Sequence, residues 1–324
     1  MKLYETRILQ EDLDIINEVL KSGNIGFGSN VPLFEERFKV FSGKKFNVAT
    51  NSASASAFMI FSFLKEKYGI CDVYTTSLGF TSPTWAAKHF GHNIVFVDVR
   101  DDLQFDLEDY KRKRKTNRTQ ILMPVLYGGV SNIEGFDEFY DLKGDDEIVV
   151  VDSAHCVTPT IKNDFIFFSF HPYKPICTSD GGMISTNSGE ADEYFRSYRN
   201  FGREFVDNSY TINKEGFKFY MNNLNATIGL TQIDRYFEML EARRNNFDKL
   251  KERFDLLPHD EYSSFYFATC LTGEAESVIL QTGLTRNYPM LHKMEYYNNG
   301  QVLPNLEDMH GKILNLPLWS EFKL

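Results

Sequence analysis

The chain is poor in the features that mark disulfide-stapled, metal-finger, membrane and nucleic-acid-binding proteins. Its four cysteines, Cys71, Cys156, Cys177 and Cys270, form no Cys-x-x-Cys pair in 324 residues, so they read as reduced thiols and argue against a disulfide framework or a zinc module. His89 and His92 lie three apart and can share a helix face, but no neighbouring cysteine or carboxylate completes a ligand set, and no metal site is expected. No apolar run approaches membrane-spanning length, and Met1-Lys-Leu-Tyr-Glu-Thr6 has no apolar signal core. The expectation is a cytoplasmic protein with no membrane partner. Positive charge is also scarce, with 35 Lys and Arg against 45 Asp and Glu and a net charge of -10, which argues against nucleic acid as a partner. The one basic run, Lys111 to Lys115 with Arg118, follows Asp106-Leu-Glu-Asp109 and reads as the solvated end of a surface helix. Glycines never gather into a dinucleotide fingerprint. The loop Asn24-Ile-Gly26-Phe-Gly28-Ser-Asn30 lacks the third glycine and a preceding strand.

What is present suits a large packed core: 42% hydrophobic residues, 15% aromatics and 29 Phe. Apolar and β-branched runs predict strands over 46–50, 72–77, 93–99, 120–127, 147–151, 164–168 and 182–186. Between and around them, helical periodicity is expected within 1–22, over 33–41, 53–64, 84–90, 133–142 and 190–198, and from 222 to 254. Alternation at this spacing predicts an α/β fold: a mostly parallel central sheet with helices on both faces, plus a small C-terminal α/β subdomain. The division is expected between 1–235 and 236–324.

Three places carry candidate chemistry. Lys174 lies between Pro172 and Pro175, five residues past Ser169 and ahead of Asp180-Gly-Gly182; it falls in a constrained loop just beyond a strand, where open α/β sheets place ligands. A lone loop lysine is otherwise a solvated charge. Asp152, with His155 three residues on, ends the strand 147–151, and its carboxylate either faces a ligand or caps the next turn. The small-residue turn Asn51-Ser-Ala-Ser-Ala-Ser-Ala57 opens a helix that Asn51 or Ser52 can cap. It is either a well-capped helix start or an anion seat.

The ordered set of motifs resembles the DegT/DnrJ/EryC1/StrS family of sugar aminotransferases, pyridoxal-phosphate enzymes of the aspartate-aminotransferase fold. It comprises the small-residue turn, an aromatic loop at Phe80, Asp152-x-x-His155, Ser169-Phe-His-x-x-Lys174 with Asp180-Gly-Gly182, Arg199-Asn-x-Gly202 and Gly216-Phe-Lys-Phe-x-Met221. The resemblance covers nearly the whole chain and includes Tyr288-Pro-Met-Leu-His292. It implies Lys174 as the Schiff-base lysine and proton carrier, Asp152 as partner of the pyridine nitrogen, and His155 at the ring's 3′-oxygen. It also implies Phe80 stacked on the ring, Ser54, Ala55 and Ser169 at the phosphate, and Lys218 reaching the phosphate across a homodimer interface. Implied partners are L-glutamate and a nucleotide-linked keto sugar.

Four positions depart from the family pattern: Ala53 where Gly is usual, Val125 for His, Lys218 for Asn, and Tyr220 for Arg or Asn. They bear on the substrate side more than on the cofactor. Dehydratases of the family carry His where this chain has Lys174. The run His171-Pro-Tyr-Lys174-Pro-Ile176 is more similar to members acting at C4 of the sugar than to those acting at C3. A non-catalytic, regulatory member is the alternative, which a glutamate half-reaction separates. The aromatic group Phe217, Phe219 and Tyr220 beside Lys218 suits either a dimer interface or core packing.

Overall fold

In the computed structural model, described for residues 2–115, 117–207, 209–298 and 300–319, the chain builds one seven-stranded sheet and two small two-stranded ones. Helices α1 (Gln10–Ser22) and α2 (Asn30–Ser42) precede β1 (Phe46–Thr50), α3 (Ala53–Tyr68), β2 (Asp72–Thr76), α4 (Thr81–His89) and β3 (Asn93–Val97). Then follow α5 (Leu107–Lys113), β4 (Gln120–Met123), α6 (Phe136–Leu142), β5 (Glu147–Asp152), β6 (Phe165–Ser169), β7 (Gly182–Thr186) and α7 (Gly189–Tyr198). The large sheet has the order β1-β7-β6-β5-β4-β2-β3, with β7 antiparallel to both neighbours and every other pairing parallel. Six strands therefore run one way, and their C-terminal ends share a rim.

The sheet is apolar on both faces because both are covered. Val48, Val73, Ile121, Val150 and Phe167 pack with Ile60, Phe61 and Leu64 of α3. The alternate residues Ala49, Tyr74, Leu122, Val151 and Phe168 join Phe34 and Phe38 of α2 on the opposite side. This period-two division is what a doubly covered sheet requires.

Several boundaries differ from the expected ones for local reasons. β4 stops at Met123 because Pro124 has no N–H to give, and Tyr127–Gly129 forms a short 3-10 turn with Gly128 at φ 75°. α4 ends at His89 and Phe90 caps it, so His92 lies beyond the helix and does not share a face with His89. His92 instead accepts the Cys71 N–H through Nδ1 at 3.0 Å in the core. The basic run does close a surface helix: Lys111 and Lys113 pair with Glu108 and Asp109 at 2.7 Å.

Past α7 comes a hairpin that periodicity did not predict, β8 (Arg203–Val206) with β9 (Ser209–Ile212). It is followed by α8 (Asn223–Lys251), a 29-residue helix within which the expected 235/236 division falls. The chain ends in β10 (Phe267–Leu271), α9 (Ala275–Thr282), α10 (Pro304–His310) and β11 (Ile313–Pro317), with β10 and β11 paired antiparallel. Among the described residues no helix is long and apolar enough to cross a membrane.

Candidate active site

A cavity of about 830 Å³ opens on the shared rim, with Ser54, Asp152, Ser169 and Lys174 in its wall. β1 delivers the small-residue turn. Ser52 is extended at φ -169° and its hydroxyl accepts the Ala55 N–H at 3.1 Å, capping the 16-residue α3. Thr50 Oγ1 lies 2.7 Å from Ser56 Oγ and donates to Ser52 O at 2.9 Å, holding the turn from beneath.

Gly182, opposite Thr50 on one side and Ser169 on the other, brings the turn and Ser169 together. A Cβ at Gly182 would sit 2.5 Å from the Ser52 carbonyl carbon and 2.6 Å from Ala53 N. Only glycine allows that approach, which gives the second glycine of Asp180-Gly-Gly182 its structural reason.

The turn is also anchored from below. Glu35 on α2 is 5% exposed, and its Oε1 accepts the Ala49 N–H at 2.9 Å and Arg199 Nη1 at 2.5 Å. Arg199 Nη1 also donates to Ala49 O at 2.6 Å, and Arg196 Nη1 to Glu35 Oε2 at 2.9 Å. The arginine of Arg199-Asn-x-Gly202 thus fixes the end of β1 rather than entering the cavity.

Asp152 ends β5 and is 4% exposed. Its Oδ1 accepts the Ala154 N–H at 3.0 Å. Burial pushes the carboxyl up to about 6, while the Ala154 N–H and the Lys174 charge pull the other way. Lys174 is half-buried and held in a turn, its N–H donating to His171 O at 2.8 Å. Burial brings its amine down to about 8, opposed by the Asp152 charge. Lys174 Nζ stands 4.6 Å from the centre of the Tyr266 ring.

His155 is 3% exposed, and burial and the Lys174 charge hold it well below the usual imidazole range, so it is neutral. Its Nε2 is 3.0 Å from the Tyr288 hydroxyl, and its Nδ1 is buried with no hydrogen-bond partner among the described residues.

The remaining expected site residues separate. Ser54, Phe80 and Ser169 line the cavity, with Phe80 57% exposed and its ring 5.9 Å from that of Tyr288. Ala55 is buried behind the turn with its N–H taken by Ser52. Lys218 is exposed and outside the cavity wall, although its carbonyl accepts Asn51 Nδ2 at 3.2 Å beside the turn. Phe219 packs with Phe58 and Tyr198, while Phe217 keeps 41% of its surface.

The structure adds an aromatic wall that single-residue reasoning missed. Tyr4 stacks between Tyr173 at 5.4 Å and Tyr266 at 4.7 Å, and Tyr266 lies 4.4 Å from the His155 ring. Tyr288 was visible only as the first residue of the segment 288–292.

This donor set fits pyridoxal phosphate. It offers an amine of lowered basicity, a buried carboxylate for a ring nitrogen, and a histidine in the cavity wall. Small residues at a helix N-terminus leave room for a phosphate.

A family model described as the DegT/DnrJ/EryC1/StrS aminotransferase family matches residues 6–324. The chain is 28% identical over 319 residues to the spore coat polysaccharide biosynthesis protein SpsC of Bacillus subtilis, covering 90% of this chain and 79% of that one. It is 25% identical over 351 residues to the UDP-4-amino-4,6-dideoxy-N-acetyl-beta-L-altrosamine transaminase of Campylobacter jejuni, covering 97% and 91%. The fold matches PseC of Helicobacter pylori, an aminotransferase involved in pseudoaminic acid biosynthesis, at a TM-score of 0.90 and 22% identity over 100% of this chain and 95% of that one. It matches Spr1654 of Streptococcus pneumoniae in its PLP form equally well, at a TM-score of 0.90 and 22% identity over 100% and 94%.

Proposed function

The chain belongs to the DegT/DnrJ/EryC1/StrS aminotransferase family, and we propose that it moves an amino group from L-glutamate to a keto group of a nucleotide-linked deoxysugar, at C4 in preference to C3. The observation that carries the reading is the pairing of Lys174 with Asp152 in one cavity, each shifted towards neutrality by burial. The names of the Campylobacter relative and of SpsC support a sugar substrate. The run His171 to Ile176 supports C4.

Pyridoxal phosphate, when bound, supplies an electron sink that stabilises negative charge at the donor's α-carbon. Lys174, with its amine near 8, has enough neutral form near pH 7 to attack and to carry a proton between the donor's α-carbon and the cofactor's C4′. Asp152 keeps its charge when a cation is placed against it, and so holds a protonated ring nitrogen. His155 takes the ring's 3′-oxygen side and Phe80 a ring face. The helix start at Ser54, together with Ser169, receives the phosphate, while Ala55, whose N–H is taken by Ser52, backs the turn from behind. Lys218, exposed outside its own cavity, is assigned to the phosphate of the neighbouring site in a homodimer. A cytoplasmic location and the division of the chain near residue 235 complete the reading.

The test begins with spectroscopy. Wild-type protein mixed with pyridoxal phosphate is expected to show a visible band that glutamate discharges with release of 2-oxoglutarate, and Lys174→Ala is expected to lose both, with activity down about 100- to 10,000-fold. A band that persists unchanged in Lys174→Ala would sink the proposal. Incubation with UDP-, GDP- and dTDP-linked 3-keto and 4-keto sugars, followed by locating the new amine, tests substrate and position.

A further inference from the structure

The stretch 2–9 is neither helix nor strand, yet Lys2 to Thr6 line the cavity and the stretch is held at either end. Leu3 is 7% exposed and packs in the large core. At the other end Leu9 N–H donates to Asp12 Oδ2 at 2.8 Å. Asp12, fully buried near the start of α1, accepts Arg235 Nη1 and Nη2 from α8 through its two oxygens at 2.8 and 2.6 Å. A paired contact of this kind fixes direction as well as distance, so the residues between are delivered to one place.

What they meet there is the lysine turn. Thr6 Oγ1 donates to Pro172 O, two residues before Lys174. The Tyr4 ring stacks on Tyr173, the chain neighbour of Lys174, at 5.4 Å and on Tyr266 at 4.7 Å, with 15° between the planes in each case. Tyr266 is also the ring over which the Lys174 amine lies, 4.6 Å from its centre. One side chain therefore touches both the residue next to Lys174 in the chain and the surface that receives its amine. Support from within the turn is short-range: Lys174 N–H reaches His171 O at 2.8 Å, and Tyr173 N–H reaches His171 Nδ1 only at 3.4 Å. Tyr173 is 52% exposed, and Tyr4 gives its ring a fixed stacking partner.

We propose that Tyr4 is a positioning residue for Lys174: stacked on both Tyr173 and Tyr266, it holds the lysine turn against the aromatic wall and so keeps the amine in place in the cavity. The proposal rests on the reading of Lys174 as the reactive amine and deepens it. It adds a support from a part of the chain that precedes the sheet.

The amine can be followed with no cofactor bound. Full-length protein is labelled with trace acetic anhydride over a range of pH, and the modified Lys174 peptide, identified by its loss in Lys174→Ala, is quantified by mass spectrometry. Asp152, His155, His171 and Tyr266 are the titratable groups that face the amine, and the substitutions below leave all four in the chain. Burial is the larger influence on the amine, so loosening the turn admits water and raises the labelling midpoint towards that of an ordinary lysine. Tyr4→Ala should show this rise. After reconstitution with pyridoxal phosphate, its discharge by saturating glutamate should slow by up to about 100-fold, the scale of a misplaced reacting group, with half-saturation little changed. Tyr4→Phe keeps the ring and should restore both readouts. Thr6→Val, which removes the hydroxyl that reaches Pro172, should raise the midpoint in the same direction and slow the discharge about 2- to 10-fold, the range for one neutral hydrogen bond.

A Tyr4→Ala protein with the wild-type midpoint and discharge rate overturns the proposal. So does a Tyr4→Phe protein as impaired as Tyr4→Ala, which would give the role to the hydroxyl and its contact with Asn287. If Tyr4→Ala does not fold, Thr6→Val decides, and wild-type values of both readouts there reject the positioning role. A wild type that forms no visible band with pyridoxal phosphate overturns the cofactor reading instead, while the labelling midpoint still decides the role of Tyr4.

Discussion

The cavity has two sides made in different ways. The floor, with Ser54, Asp152, Ser169 and Lys174, comes from the C-terminal ends of β1, β5 and β6 and the segments that follow them. The wall, with Tyr4, Tyr266 and Tyr288, comes from the two ends of the chain. On the floor, groups that ionise near neutral pH sit where burial opposes their charge. On the wall, burial drives Tyr4, Tyr266 and Tyr288 far above the usual phenol range, so they stay neutral throughout and contribute shape and hydrogen bonds. The groups with shifted ionisation thus lie on the part of the fold that the sheet fixes, and the wall presents neutral aromatic side chains to the same cavity.

If the floor is fixed by the sheet and its supports, damage beneath it should be the most severe. Glu35→Ala leaves Arg199, 4% exposed, without its carboxylate. Stranding a buried charge costs about 3–5 kcal/mol, so urea melts should show a loss of that order, with cofactor binding lost in parallel because Ala49 leads into the small-residue turn proposed to hold the phosphate. A stability loss with unchanged cofactor affinity would uncouple the support from the floor.

Asp152→Asn separates reactivity from stability on the floor itself. Activity should fall about 100-fold or more, the scale for removing a charge-stabilising group from an active site. Stability should move the other way. The folded carboxyl titrates near 6 rather than 3.8, so between those values the folded state binds more protons than the unfolded one, and stability falls as pH rises through that window. By pH 7 the penalty approaches its full size, about 3 kcal/mol at most. The cofactor-free variant should therefore be more stable than wild type at pH 7, with this difference gone below pH 4, as read by urea melts at both pH values.

Gly182→Ala tests how closely the turn and the lysine loop must approach. The new Cβ would meet backbone atoms of Ser52 and Ala53, which cannot rotate away. The expected loss is about 1–3 kcal/mol, typical of overpacking, together with weaker pyridoxal-phosphate binding in fluorescence titration. Wild-type affinity in this variant would show that the turn has slack.

The same contrast explains what could be read from sequence. Each floor residue lies within five positions of a strand whose apolar run is visible: Asp152 at the end of β5, Lys174 five residues past Ser169 at the end of β6. Local pattern therefore marked the strand ends and the helix start, the family resemblance supplied Ser54 and Ser169, and of the two cap candidates Asn51 and Ser52 the structure selects Ser52. Wall residues meet the floor across long stretches of chain. His155 and Tyr288 are 133 positions apart, and Tyr4 reaches Asn287 across 283. No periodicity links such positions. The hairpin β8–β9 was missed for another reason: its strands have only 4 residues each, too short for alternation to stand out.

Lys218→Ala should have the smallest effect on the protein itself and probes an expected cofactor contact that belongs to neither side of its own cavity. Its side chain is exposed, so folding stability should change by no more than about 0.5 kcal/mol. If its ammonium serves the phosphate of a neighbouring subunit, pyridoxal-phosphate affinity should drop about tenfold, the scale of one charge-assisted hydrogen bond. That loss should appear at concentrations where sedimentation shows a dimer, and it should vanish on dilution to monomer, where wild type is expected to bind as weakly as the variant. Equal affinity of variant and wild type in the dimer would remove Lys218 from the site and leave the phosphate to the helix start and Ser169 alone. A loss that persists in the monomer would instead bring the Lys218 side chain into its own cavity through movement of the strip 217–220, whose backbone is tied to the turn through Asn51.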